Sequence, residues 1–181
     1  SVRRFFAERD VLEVETPALA SSTVPDVYIE SIAAELRDGN NSEQKFLQTS
    51  PEFFMKRLLA SGSGSIYQIT KAFRQEEKGR IHNTEFTLLE WYRVSYSLDQ
   101  LMTELECLVQ EILGCDPIER FTYREIFQKH LHIDPHQISL EELEQLAREK
   151  IDLSASDLSR TDYLQLLLAH SIEPQLPAFC F

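Results

Sequence analysis

Cysteine, glycine and positive charge are all scarce in this chain of 181 residues. Its three cysteines, Cys107, Cys115 and Cys180, are too few and too widely spaced for a disulfide framework or a close metal pair. An odd, sparse set suits a reducing, cytoplasmic setting. Five glycines leave little for a phosphate-cradling loop. Gly62 and Gly64 lack the Gly-Lys-Ser/Thr ending of a P-loop and the spacing of a dinucleotide fingerprint, so they read as a helix-to-strand turn. Eighteen Lys and Arg stand against thirty Asp and Glu, a net charge of −12. That balance disfavours a protein whose main task is wrapping nucleic acid, because phosphate contacts need cations. No apolar run is long enough to cross a membrane as a helix.

What is present is enough for a real core, since 43% of the residues are hydrophobic. Residues 2–9 read as a helix that packs Phe5 and Phe6, and residues 11–15 as a strand ended by Thr16-Pro17. A strand is expected near residues 27–33, then a turn at Asp38-Gly39-Asn40. Ser50 is a good N-cap and Pro51 suits the first position of a helix whose apolar face is Phe54, Met55, Leu58 and Leu59. Ser97/Gln100, Thr122/Glu125 and Ser139/Glu142 each have capping-box spacing and predict three further helices. In the first of these, Leu98, Leu101, Leu105, Leu108 and Ile112 form the expected buried stripe. A last helix is expected over 157–169. The strand-rich part is expected to span 1–96, and 97–181 to be a helical insertion or packing layer. Both ends read as cut, so a fragment of a longer protein is expected.

The densest chemistry lies in residues 73–92, which read as two strands joined by a charged loop. Arg74 and Glu76 share one face of the first strand, and Phe86, Leu88, Glu90 and Tyr92 one face of the second. Folded together, they make a wall with a guanidinium, two carboxylates, an aromatic ring and a phenol. Such a wall suits a ligand carrying both phosphate and amine. Lys71, Arg74, Lys78 and Arg80 add a local basic cluster within an acidic whole. The residues alone leave alternatives open. Arg74 is either a fork for phosphate oxygens or a salt-bridge partner of Glu76 or Glu77. Glu52 is either a helix-dipole complement or a grip for an ammonium group. Glu90, set among Leu88, Leu89 and Trp91, needs a partner: a ligand amine beside the Tyr92 hydroxyl, or Arg93 or another protein cation. Phe86 either stacks on a purine or fills core. His130, His132 and His136 lack a spaced acidic or thiol ligand and read as a polar helix end.

Together these residues resemble the class II aminoacyl-tRNA synthetases, in their lysine branch. Residues 5–17 look like the family's first motif, a helix and strand ending in a proline at a dimer interface. Phe73-Arg74-x-Glu76 with Phe86 resembles the second motif. Thr49-Ser50-Pro51-Glu52 with Met55–Leu59 resembles the amino-acid recognition helix. The loop Glu76–Asn83 and the run Glu85–Arg93 are most similar to the branch that ligates a lysine-type amino acid to elongation factor P. Gln75 and Thr84 depart from the usual Asn and Pro. The resemblance implies an α+β fold, an antiparallel sheet flanked by helices with a helical insertion. It also implies a homodimer through residues 5–17 and a ligase using ATP and Mg²⁺, with metal ligands outside this chain.

By resemblance, Arg74 contacts the α-phosphate, Glu76 the adenine amino group and Asn83 the nucleotide, while Phe86 stacks on adenine. Ser50, Pro51 and Glu52 hold the α- or β-amino end, and Glu90 and Tyr92 the side-chain amine. The implied partners are lysine or β-lysine and elongation factor P, with tRNA the less favoured acceptor. A lysyl-tRNA synthetase and a non-catalytic regulatory paralogue are the competing readings. The family's third motif has no counterpart here, so this stretch alone is expected to be inactive.

Overall fold

The computed structural model describes residues 1–75, 79, 82–151, 153 and 158–181. The chain divides into two units, Ser1–Gly114 and Cys115–Phe181.

The first unit opens with α1 (Val2–Ala7), whose Phe5 and Phe6 are fully buried. β1 is only Leu12–Glu13, although Val14 N–H still donates to Tyr67 O at 2.9 Å. β2 (Leu19–Ala20), β3 (Ala33–Asp38) and β4 (Asn41–Leu47) form an antiparallel sheet in the order β2-β4-β3. The strand expected near residues 27–33 therefore lies later in the chain. Its position is set by pairing with β4, from Ala33 opposite Phe46 to Asp38 opposite Asn41, a non-local constraint. Gly39, at φ +58°, makes the tight connection that the Asp38-Gly39-Asn40 run announced.

α2 (Glu52–Ala60) follows. Its N-cap is Pro51, not Ser50, and no side chain caps it. Ser50 stands one residue too far from the third helical N–H to reach it. β5 (Ile66–Phe73) and β6 (Glu85–Tyr92) pair antiparallel over eight rungs, and β1 joins β5 in parallel. Arg74 falls just past β5, yet its N–H still donates to Thr84 O at 2.9 Å.

α3 (Leu98–Leu113) starts at the expected Ser97/Gln100 box and ends at Gly114, at φ +64°. It packs on the first unit: Leu108 joins Phe5, Phe6, Val11 and Tyr67 in one core. A boundary after residue 96 would cut it away from that core. The expected stripe on α3 is incomplete, because Leu98 is 73% exposed and Ile112 46%. Phe6 stacks on Tyr67 with ring centroids 4.4 Å apart, a close aromatic contact that fixes α1 on the sheet.

Buried Glu104 of α3 accepts from Trp91 Nε1 at 3.1 Å and pairs with Arg93 at 3.3 Å. Arg93 also donates to Arg9 O at 3.2 Å. The partner that charge pattern proposed for Arg93 was Glu90; the structure gives it Glu104.

The second unit holds α4 (Tyr123–Leu131), α5 (Leu140–Lys150) and α6 (Arg160–Leu167), the last continuing as a π turn over Leu168–Ile172. Thr122, Ser139 and Ser159 each close a capping box. The expected start of the last helix at 157 lies outside the described residues. Ile126, Phe127, Leu131, Leu143, Ala147, Tyr163, Leu167 and Ile172 make this unit's core. The architecture is α+β, with mostly antiparallel sheets flanked by helices. Among the described residues no helix is long and apolar enough to cross a membrane.

Candidate active site

Strand alternation sorts β5 and β6 into two faces. Tyr67, Ile69, Leu89 and Trp91 face the core shared with α1 and α3. Gln68, Thr70, Phe86, Leu88, Glu90 and Tyr92 are paired across the opposite face. Arg74 continues this second face beyond the strand. Its guanidinium lies 5.1 Å from the Phe86 ring centroid, and its Nε donates to Thr49 O at 3.4 Å. Arg74 and Phe86 thus stand side by side at one end of the hairpin.

The other end is acidic. The Tyr92 hydroxyl donates to Glu90 Oε1 at 2.6 Å. Burial pushes the Glu90 carboxyl above its usual range, and the nearby Glu52 carboxylate pushes the same way. Tyr92's donation and the Lys56 ammonium oppose that rise. The Tyr92 phenol is also raised, first by burial, then by Glu90 and Glu52. Glu52 itself pairs with Lys56, one helical turn on. Two carboxylates and a phenol therefore converge, and one of the carboxylates is costly to ionise. A cation delivered to this end would lower that cost.

Between α2 and the segment before β3 lies a cavity of about 210 Å³. Ser50, Glu52, Phe53 and Arg74 line it, with Val24, Pro25 and Ile29 opposite. Gln75 ties that facing segment down: its N–H donates to Glu30 O at 3.0 Å and its Nε2 to Glu30 Oε1 at 3.3 Å. A larger cavity of about 680 Å³ is lined by Ser50, Phe53, Phe54 and Arg57 of this region, together with Pro17 and Leu19.

The structure thus groups Ser50, Glu52 and Arg74 around one cavity, sets Phe86 beside Arg74, and brings Glu90 and Tyr92 within electrostatic reach of Glu52. Phe86, Glu90 and Tyr92 are not among the lining residues of the 210 Å³ cavity. Pro51 is fully buried behind them. Asn83 is exposed in the approach to β6. Glu76, with Lys78 and Arg80, lies outside the described residues. Lys71, the remaining cation of that cluster, pairs with Glu85 at 3.3 Å.

Sequence reasoning overlooked Lys56, although the i,i+4 spacing from Glu52 was readable. It also overlooked buried Gln48 and Gln68, whose type and spacing carry no signal. Gln48 donates to Lys71 O at 2.8 Å and Gln68 accepts from Thr16 at 3.0 Å, so both brace β5. His132 serves as the left-handed C-cap of α4, at φ +58°. Among the described residues no group of three or more His, Cys, Asp or Glu could hold a metal ion.

Arg74 and Phe86 thus stand together at one end of the antiparallel hairpin, and α2 starts just after Ser50-Pro51. The chain belongs to the class II tRNA synthetase family: the family described as tRNA synthetases class II (D, K and N) matches residues 1–166. Within it, this chain is similar to proteins named elongation factor P–(R)-β-lysine ligase. The one from Yersinia enterocolitica is 45% identical, over 99% of this chain and 58% of its own length. That from Vibrio cholerae is also 45% identical over the same shares, and that from Photorhabdus laumondii 47% over 97% and 55%. The chain spans little more than half the length of these relatives.

Proposed function

We propose that the full-length protein carrying this chain activates a lysine-type amino acid, (R)-β-lysine, with ATP and passes it to a lysine side chain of elongation factor P. The observation that carries this reading is that Glu52, which shares a cavity with Ser50 and Arg74, acts electrostatically on the hydrogen-bonded Glu90–Tyr92 pair, while Phe86 stands beside Arg74. An amine binds at the acidic end and a nucleotide at the cationic end. The printed names of the relatives support the choice of amino acid and acceptor.

On this reading Phe86 stacks on adenine, Glu76 takes its amino group, Asn83 contacts the nucleotide and Arg74 the α-phosphate. Ser50, Pro51 and Glu52 hold the α- or β-amino group. Glu90 and Tyr92 hold the distal amine. A carboxylate oxygen of the amino acid attacks the α-phosphorus, the bond to the β-phosphate bridging oxygen breaks, and pyrophosphate leaves. The acceptor amine then attacks the acyl carbon, its C–O bond to phosphate breaks, AMP leaves and the amine loses a proton. No protein nucleophile is needed. Arg74 stabilises charge at phosphorus, and the amine clamp aligns the carboxylate. Magnesium, when bound, would neutralise phosphate charge; the described residues offer no cluster to hold it, and no step here depends on it. Homodimerisation through residues 5–17 belongs to the same reading.

The test offers the full-length protein ATP and labelled lysine or β-lysine, with elongation factor P and tRNA-Lys in parallel. Label on elongation factor P supports the proposal. Label on tRNA replaces it with a lysyl-tRNA synthetase, and no label without pyrophosphate release points to a regulatory paralogue. Glu90→Gln should cut amino-acid-dependent pyrophosphate exchange about a hundredfold while ATP affinity stays within about twofold. Equal loss of both would refute the division of the wall into amine and phosphate ends.

A further inference from the structure

Gln68 is the most deeply buried polar side chain of the hairpin, at 1% exposure. Its Oε1 accepts from the Thr16 hydroxyl at 3.0 Å, yet its Nε2 is sealed from solvent with no hydrogen-bond partner. An amide hydrogen left unpaired in a protein interior is costly and rare, and calls for an explanation. Gln68 stands directly opposite Glu90 across the β5–β6 ladder. Directly opposed side chains on one sheet face have Cβ atoms about 5 Å apart.

Glu90 has a matching vacancy. Among the described residues its carboxylate receives one hydrogen bond, from Tyr92 to Oε1. A carboxylate opposite an amide favours the N–H end facing it, which agrees with Thr16 occupying the oxygen end. Thr16 lies on the segment leading out of β1, so the amide is held from a different element than the one carrying Glu90.

We infer that Gln68 is a positioning residue for Glu90: its Nε2–H donates to the second carboxylate oxygen when a primary ammonium occupies the site. This inference rests on the amine-clamp reading above and deepens it. The bound cation favours the ionised carboxylate, and the ionised carboxylate draws in the buried donor. Tyr92 and Gln68 then fix Glu90 by one oxygen each, leaving its outward lone pairs for the ammonium. Gln68 does not touch the ligand. It sets the carboxylate's charge state and angle, and so favours an ammonium over a neutral side chain of equal length.

Gln68→Met keeps the length and removes the donor. In the full-length protein, KM for the lysine-type amino acid should rise about tenfold, the lower end for a hydrogen bond to a charged group, with KM for ATP unchanged. Because the donor favours the ionised form, its loss raises the Glu90 pKa. The acidic limb of kcat/KM for the amino acid should therefore move to higher pH. Thr16→Val, which frees the amide without shortening it, should move the same limb by a smaller amount and covers the case in which Gln68→Met does not fold. An unmoved limb with both variants folded, or equal rises in both KM values, would overturn the inference. Glu90→Gln run alongside separates the two claims. If it too leaves amino-acid affinity intact, the clamp reading has failed; if it alone abolishes affinity, only the role of Gln68 has.

Discussion

The two units bury polar groups very differently. The first buries Gln48, Thr49, Gln68 and Glu104 within or beside its sheet. The second has a core of aliphatic and aromatic side chains, and its polar residues sit at helix starts in capping boxes. Buried polar groups cost free energy unless paired, so a unit that keeps them is constrained by more than folding. Of these, Gln68 lies on β5 opposite Glu90, Gln48 and Thr49 follow β4, and Glu104 lies on α3 against Trp91 and Arg93 of the β6 end. The second unit is organised mainly by packing and local capping, with Arg160 donating to Pro135 O at 2.8 Å as a further tie. The contrast teaches where to look for chemistry before any ligand is known.

Three substitutions probe that contrast. Phe127→Ala, in the core of the second unit, should lower stability by about 3–5 kcal/mol. Denaturant unfolding followed by hydrogen exchange should show the loss in the helical unit and leave β5–β6 amides protected; equal loss in both would mean that the units share one cooperative core. Glu104→Gln leaves the Arg93 guanidinium buried without its counter-charge, at a cost of about 3 kcal/mol. The exchange protection lost should be that of β6 and α3. Ser139→Ala should cost only about 1 kcal/mol, the usual worth of a cap.

The same cap carries a pH signature. The Ser139 backbone and hydroxyl hold the Glu142 carboxyl below its usual range. A carboxylate whose pKa falls on folding stabilises the fold above its unfolded pKa and loses that contribution as pH falls through the folded one. The acid-side slope of helical stability should therefore shrink in Ser139→Ala. An unchanged slope would mean that the backbone N–H of residue 139 alone holds the Glu142 carboxylate.

The same contrast explains what was legible in sequence. Capping boxes at Ser97, Thr122 and Ser139 are four-residue signals and predicted helix starts to the residue. The second strand of the hairpin and its alternating face were readable, because period two is local; the first was misplaced, since β5 ends at Phe73 and Arg74 lies past it. What failed was non-local. The position of β3 depends on β4, and the exposure of Leu98 and Ile112 on what α3 packs against. Glu104 as the partner of Arg93 depends on a helix that begins after the strand ends. Gln68 could not be found at all, since a glutamine in a strand reads as an ordinary polar position until its cover is known. The proposed nucleotide and amine ends rest on residue type, but the electrostatic coupling of Glu52 to Glu90 needed α2 to be placed.

The eight-rung β5–β6 ladder has one more consequence, for which length changes this protein can tolerate. Residues added or removed between Phe73 and Glu85 leave the eight rungs in register but displace Arg74 and Asn83, which the proposed site needs. One residue inserted within β6 would turn Trp91 toward the ligand and Glu90 toward the aromatic core. Such a chain would lose its buried ring and bury a charge in the same step. Insertions that ruin the ligand-facing side there would also ruin folding.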